Sequence, residues 1–202
     1  EDKIVQRGMA KVLNAIYEQY FLDFSYGFRP NRSCHDALKR LNIIIECRKT
    51  NYIVDADIKG FFDNVDHEWM MKFISHRIAD PRFQQLIRKT LKAGYMEENI
   101  IHETEGGTTQ GGLISPILAN LYLHYVLDLW FDKVVKPRCR GEAYMVRYAD
   151  DFVCCFQHEY DANRFYNALQ NRLEKFNLSI AVEKTKIINF GRFRSEEHTS
   201  EL

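Results

Sequence analysis

Two short apolar runs, Tyr144-Met145-Val146 and Phe152-Val153-Cys154-Cys155-Phe156, stand on either side of a tight turn that carries adjacent carboxylates, Asp150 and Asp151. Runs this short, rich in β-branched and aromatic residues, read as two paired strands. A turn held between such strands is rigid, so it projects its two acids together. Asp is also an ordinary turn residue, and the turn by itself is a modest signal. A second segment, Tyr52–Lys59, gives it weight. Side chains on a strand alternate between faces, so Tyr52, Val54, Ala56 and Ile58 share one face while Ile53, Asp55 and Asp57 share the other. The plain reading is solvated surface acids, since exposed carboxylates are common. Two like charges on one strand face repel each other, however, and a purely structural strand seldom carries them.

The rest of the chain reads largely as helix. Lys3–Phe24 has apolar residues at near-helical spacing. Ser33 with Asp36 forms the S-x-x-D version of a capping box ahead of a helix to about Arg48. Asp66–Ile78 and Pro81–Lys92 read as helices, and Ser115-Pro116 is a helix start, N-cap then Pro in the first turn. That helix runs through Phe131 or beyond, and Ile117, Leu118, Leu121, Tyr122, Tyr125 and Leu129 form its core stripe. Asp161–Phe176 is amphipathic and Ile187–Phe190 is a last strand. This order suggests an α+β sheet with helices on one face.

Composition narrows the function classes. With 46% hydrophobic and 13% aromatic residues the chain can bury a core, which a disordered chain cannot. It has no apolar run long enough for a membrane span. Its 28 basic residues balance 28 acidic ones, which is not the strongly basic signature of a nucleic-acid-binding domain. A site with acids at its centre and bases at its rim would still give such a balance. The five cysteines have no metal-ligand spacing and read as reduced thiols, and the histidines read as structural or solvated.

Taken together, one strand acid and one hairpin acid are the ligands that two-metal phosphoryl transfer needs. Two divalent ions about 3.5–4 Å apart clamp attacking and leaving oxygens, and Mg²⁺, which keeps several waters, is satisfied by two or three carboxylates.

Five blocks then resemble one family in order. Asp57-Ile58-Lys59-Gly60-Phe61-Phe62-Asp63 resembles polymerase motif A of group II intron-encoded reverse transcriptases and maturases, Gly107–Pro116 motif B, and Tyr148-Ala149-Asp150-Asp151 motif C. Tyr26–Leu38 is similar to the family's second reverse-transcriptase block, and Glu183-Lys184-Thr185-Lys186 to motif D. Thr109 departs from the family's more frequent proline. The resemblance implies a right-hand polymerase palm, an antiparallel sheet backed by helices, plus partial fingers: residues 1–50 the partial fingers, 51–193 the palm or reverse transcriptase core. Residues 194–202 resemble the translation of a sequencing adapter and are expected to be a non-native tail. The chain is expected to be a fragment, without its finger bases and thumb and inactive by itself.

Carried over position by position, Asp57 and Asp150 are the expected metal ligands, joined by the Ile58 carbonyl, with Asp151 as a supporting catalytic carboxylate. The Gly60 and Phe61 amides are expected at the triphosphate, Phe62 as the steric gate under the sugar, Gln110 and Gly111 along nucleotide and template, and Lys184 near the triphosphate, with Lys186 its rival. Arg29 and Arg32 either contact template phosphate or cap nearby helices. The implied cofactor is Mg²⁺, two ions. The implied partners are an RNA template, which is the intron RNA, a DNA primer and deoxynucleoside triphosphates, with no membrane. The implied location is the bacterial cytoplasm or nucleoid. The implied function is RNA-directed DNA synthesis, with a maturase role in splicing. The alternatives are a retron or other bacterial reverse transcriptase, an RNA-making polymerase, disfavoured by the aromatic Phe62, and an RNA-binding maturase without polymerase activity.

Overall fold

Met9, Leu13 and Tyr17 fall four residues apart, on one stripe of a 3.6-residue helix, and they are buried residues of α1 (Asp2–Tyr17). The computed structural model describes residues 2–92, 95–97, 100–102, 107 and 112–191. After Tyr17 the chain breaks into turns, not the longer helix that the spacing suggests. Arg29 holds these turns together: its Nη1 donates to the Leu22 and Ser25 carbonyls, both at 2.8 Å. α2 (Cys34–Cys47) begins on the expected capping box, with Ser33 Oγ accepting from Asp36 N and Asp36 accepting from Ser33 N.

β1 (Tyr52–Ala56) leads through a short 3-10 turn, Phe61–Asp63, into α3 (His67–Ser75) and α4 (Pro81–Lys92). Asp66 caps α3 by accepting from Trp69 N at 2.8 Å. A small antiparallel pair follows, β2 (Tyr95–Glu97) with β3 (Ile100–His102). Strands of three residues are too short for periodicity to reveal.

α5 (Ser115–Leu123) starts one residue earlier than its sequence suggests, with Ile114 as N-cap and Ser115 already inside. Its helical course continues through two π turns, His124–Asp128 and Phe131–Val135, where Leu129 N donates to His124 O and Lys136 N to Phe131 O, five residues back. Nearly every residue from Ile114 to Asp128 is buried, as expected of a helix enclosed on all sides. Of the expected stripe, Tyr125 and Leu129 are only half-buried.

β4 (Ala143–Tyr148), β5 (Asp151–Phe156), α6 (Glu159–Glu174) and β6 (Lys186–Asn189) complete the chain. The sheet is antiparallel in the order β4-β5-β1-β6, with Val54 opposite Cys154 on one side and Ile187 on the other. Val54, Ala56, Met145, Phe152, Cys154 and Phe156 join Phe165, Leu169 and Leu173 of α6 in the main core. The opposite face is not bare, which corrects the one-sided arrangement: Ile53, Val146 and Cys155 pack with Ala37 and Ile44 of α2. Asp55, Asp57 and Asp151 belong by strand parity to this second face, at the end that α2 leaves open.

Candidate active site

Asp57 leaves β1 in extended form because the 179–181 segment holds it. Lys59 N donates to Ser179 O and Ala181 N to Asp57 O, both at 2.9 Å. These bonds flank Ile58, so its own carbonyl is not used in that bridge, while its side chain is buried. Gly60 then turns the chain at φ 52, ψ 45. Left-handed backbone costs a residue with a Cβ roughly 1–2 kcal/mol, which accounts for glycine here. Phe61 is buried against Tyr122, and Phe62 is half-buried, edge-on to Phe61 at 5.3 Å.

Asp150 sits in the turn between β4 and β5, beside Ala149 at φ 57. Here a non-glycine accepts the left-handed cost, and neighbours hold it there. Arg147 Nη1 donates to Ala149 O at 2.6 Å. The Tyr26-Gly27 segment lies against the same turn: a Cβ on Gly27 would come within 2.2 Å of Ala149 N, so only glycine fits. Tyr26 N donates to Arg147 O and Arg147 N to Phe24 O, both at 2.8 Å, docking the loop on β4. Gly107 is fastened to the other acidic segment, donating its N–H to Val65 O (2.8 Å) and accepting from His67 Nε2 at 2.6 Å.

Asp57, Ile58, Gly60, Phe61, Phe62, Asp150 and Lys184 line one cavity of about 270 Å³, with Lys59, Asp63, Ala181 and Glu183 completing the wall. Lys184 Nζ lies 2.9 Å from Asp57 Oδ2. That bond and the Asp57 charge push the Lys184 pKa up. Lys186 instead opens β6, opposite Asp55. The Asp151 carboxyl is pushed above its ordinary value, first by burial and then by the charges of Asp150, Asp57 and Asp55. Carboxylates crowded in this way favour a cation among them.

Among the described residues no three Asp, Glu, His or Cys side chains form a ready-made metal cage. Asp57 and Asp150 on one cavity, with Asp63 and Glu183 in its wall and Asp151 adding to the local negative charge, nevertheless suit a hard ion that takes one or two protein carboxylates, its own waters and substrate phosphates. The residues present therefore fit Mg²⁺.

Several expected site residues stand elsewhere. Gln110 and Gly111 lie outside the described residues, as do residues 194–202. Of the two roles open to Arg29, the geometry favours the cap: its guanidinium is buried, with Nε and Nη2 on the Glu18 carboxylate, Nη1 on two carbonyls, and its carbon 5.4 Å from the Phe21 ring centroid. Arg32 donates to Asp23 O and Oδ1 and remains partly exposed. No motif or spacing singles out Arg147, Asp128 or Asn120, although Arg147 has the inward parity of Ala143 and Met145 on β4.

The model of the reverse transcriptase (RNA-dependent DNA polymerase) family matches residues 1–200. The group II intron-encoded protein LtrA of Lactococcus lactis subsp. cremoris is 49% identical over 147 residues, 70% of this chain and 24% of that protein. Protein YkfC of Escherichia coli K12 is 36% identical over 180 residues, covering 75% of this chain and 47% of its own length. The chain thus spans a quarter to a half of these relatives. Among solved structures, apo telomerase from Candida tropicalis superposes with a TM-score of 0.68 at 15% identity, covering 96% of this chain and 38% of that one, a likeness of fold. No helix among the described residues is long and apolar enough to cross a membrane. A match over nearly the whole chain, in a fold of the same kind, means that this chain belongs to the reverse transcriptase (RNA-dependent DNA polymerase) family.

Proposed function

We propose that this chain is the polymerase core of a group II intron mobility protein, a nucleotidyltransferase that extends a DNA primer on an RNA template, with the intron RNA as template and deoxynucleoside triphosphates as substrates. In the whole protein a maturase role in splicing accompanies it, in the bacterial cytoplasm or on the nucleoid. The observation that carries this reading is that Asp57 and Asp150, from segments some ninety residues apart, line one cavity with Lys184 at its rim.

Polymerases of this family use divalent metal ions, and we assign two Mg²⁺ here, held by Asp57, Asp150 and the Ile58 carbonyl with Asp151 in support. Such ions, when bound, stabilise the charge that develops on attacking and leaving oxygens. The chain's own residues do the rest. Gly60 lets the backbone pass close to the triphosphate, so the Gly60 and Phe61 amides face its oxygens. Phe62 closes the space beside the sugar 2′ position. Lys184, now on Asp57, is within reach of the pyrophosphate side, where its ammonium offsets charge and can deliver a proton. Gln110 and Gly111 are assigned to nucleotide and template by their place in motif B.

The test is primer extension on an RNA template by the full-length protein. Asp150→Asn keeps the size of the side chain and removes its charge, so extension falls by roughly a thousandfold or more, the scale of lost electrostatic stabilisation at a reacting centre. RNA affinity and the melting temperature stay near those of the parent. Near-normal extension by Asp150→Asn would remove Asp150 from the reaction.

A further inference from the structure

Arg147 never reaches the cavity, yet it is spent entirely on the elements around it. Its side chain is fully buried, and all five N–H groups have acceptors. Nε donates to Asp128 Oδ1 (2.7 Å), and Nη2 to Asp128 Oδ2 (2.6 Å) and Ser25 Oγ (2.8 Å). Nη1 donates to Asn120 Oδ1 (3.0 Å) and to Ala149 O (2.6 Å). The last of these is the carbonyl of the Ala149–Asp150 peptide, the one that sets the direction of the Asp150 side chain. Asn120 extends the hold by donating from Nδ2 to Gly27 O (2.6 Å), and Gly27 lies against Ala149. Asp128 is the last residue of the first π turn, His124–Asp128.

A buried arginine kept for an ion pair needs only Asp128. This one also grips the one non-glycine residue of the turn with a positive φ, a conformation that persists only where surrounding groups enforce it. A planar fork with five fixed donors can hold a carboxylate, an amide, a hydroxyl and a turn carbonyl at once, and an ammonium cannot. We propose that Arg147 is a positioning residue for Asp150, locking the turn in the geometry that receives the divalent ion. The proposal rests on reading Asp150 as a metal ligand.

The experiment uses the full-length protein and Arg147→Lys, which keeps the charge opposite Asp128 and loses the fork. Residues that orient metal ligands typically carry 10–100-fold in metal affinity, so the Mg²⁺ concentration for half-maximal primer extension rises roughly tenfold. kcat falls by roughly tenfold to a hundredfold, the scale on which small misplacements act, while KM for the deoxynucleotide stays within about twofold. Independently of activity, hydrogen exchange speeds up at the amides of residues 148–151 and not across α6. Asn120→Ala, which removes one acceptor and the link to Gly27, gives the same pattern at smaller amplitude, and carries the test if Arg147→Lys does not fold. An unchanged Mg²⁺ requirement, or activity that merely tracks the folded fraction, overturns the proposal. Asp150→Asn run alongside keeps the two readings apart. If it retains extension, the metal-ligand reading fails. If it is inactive while Arg147→Lys behaves normally, only the positioning role fails.

Discussion

On the proposed reading, Phe62 separates selection from chemistry within a single turn. It shares the cavity with Asp57 and Asp150, packs its ring edge-on against Phe61, and forms no bond to either acid. Phe62→Ala should therefore leave synthesis running while admitting a 2′-hydroxyl. Primer extension with ribonucleotides should improve relative to deoxynucleotides by roughly tenfold or more, within the range that one lost pocket contact produces. Unchanged sugar discrimination would remove the gate and favour an RNA-making enzyme. The acids themselves were readable from the sequence because strand parity and a short hairpin leave few choices for where Asp57 and Asp150 go. Arg147 was not. A charged residue is ordinarily assigned to the surface, and only the acceptors gathered from Ser25, Asn120, Asp128 and Ala149 show why burial is tolerated here. Arg29 was readable as one of two alternatives, and the 2.7 Å contact with Glu18 favours the cap.

Elements were legible where their own residues decide them. The capping box of α2, the Pro start of α4 and the β4–β5 hairpin all stand close to their expected places. They were illegible where distant groups bear on them: α1 stops at Tyr17 and the turns after it are held by Arg29, and the long buried helix changes pitch at His124, for which no local residue gives warning. The Ser25–Gly27 loop shows the same dependence. Its glycine answers to a strand more than a hundred residues away. Gly27→Ala would drive a methyl into the Ala149 backbone, and a strained insertion of this kind costs about 1–3 kcal/mol. Chemical denaturation should show a loss of that size, and primer extension should fall further than the folded fraction does, because the displaced turn carries Asp150. A melting curve identical to that of the parent would mean that the loop simply moves aside.

At the scale of the whole molecule, stability and pH are linked through the buried helix. His124 is buried with its Nδ1 unpaired, 3.9 Å from Asp128 Oδ2. Burial pushes its pKa below the ordinary 6.5; Asp128 pulls the other way, and Arg147, Arg29 and Arg77 add to the lowering. The unfolded chain therefore takes up a proton near pH 6.5 that the folded chain refuses. Stability is complete above that pH and falls below it, until the depressed folded value is reached. Denaturation midpoints at pH 7.5 and 5.5 should differ less in His124→Gln than in the parent, and equal differences would show that other groups set the slope. The strand order has a kinetic consequence as well. Among the described residues β1, at 52–56, pairs with residues 152–156 and 186–189. On a ribosome making ~5–20 residues per second, β1 waits on the order of 5–20 s for its first partner, with its edges unpaired and Asp55 exposed. Pairings this distant in sequence also form slowly once available. The cavity is thus a late product of synthesis, assembled only when the hairpin closes over a strand made long before it.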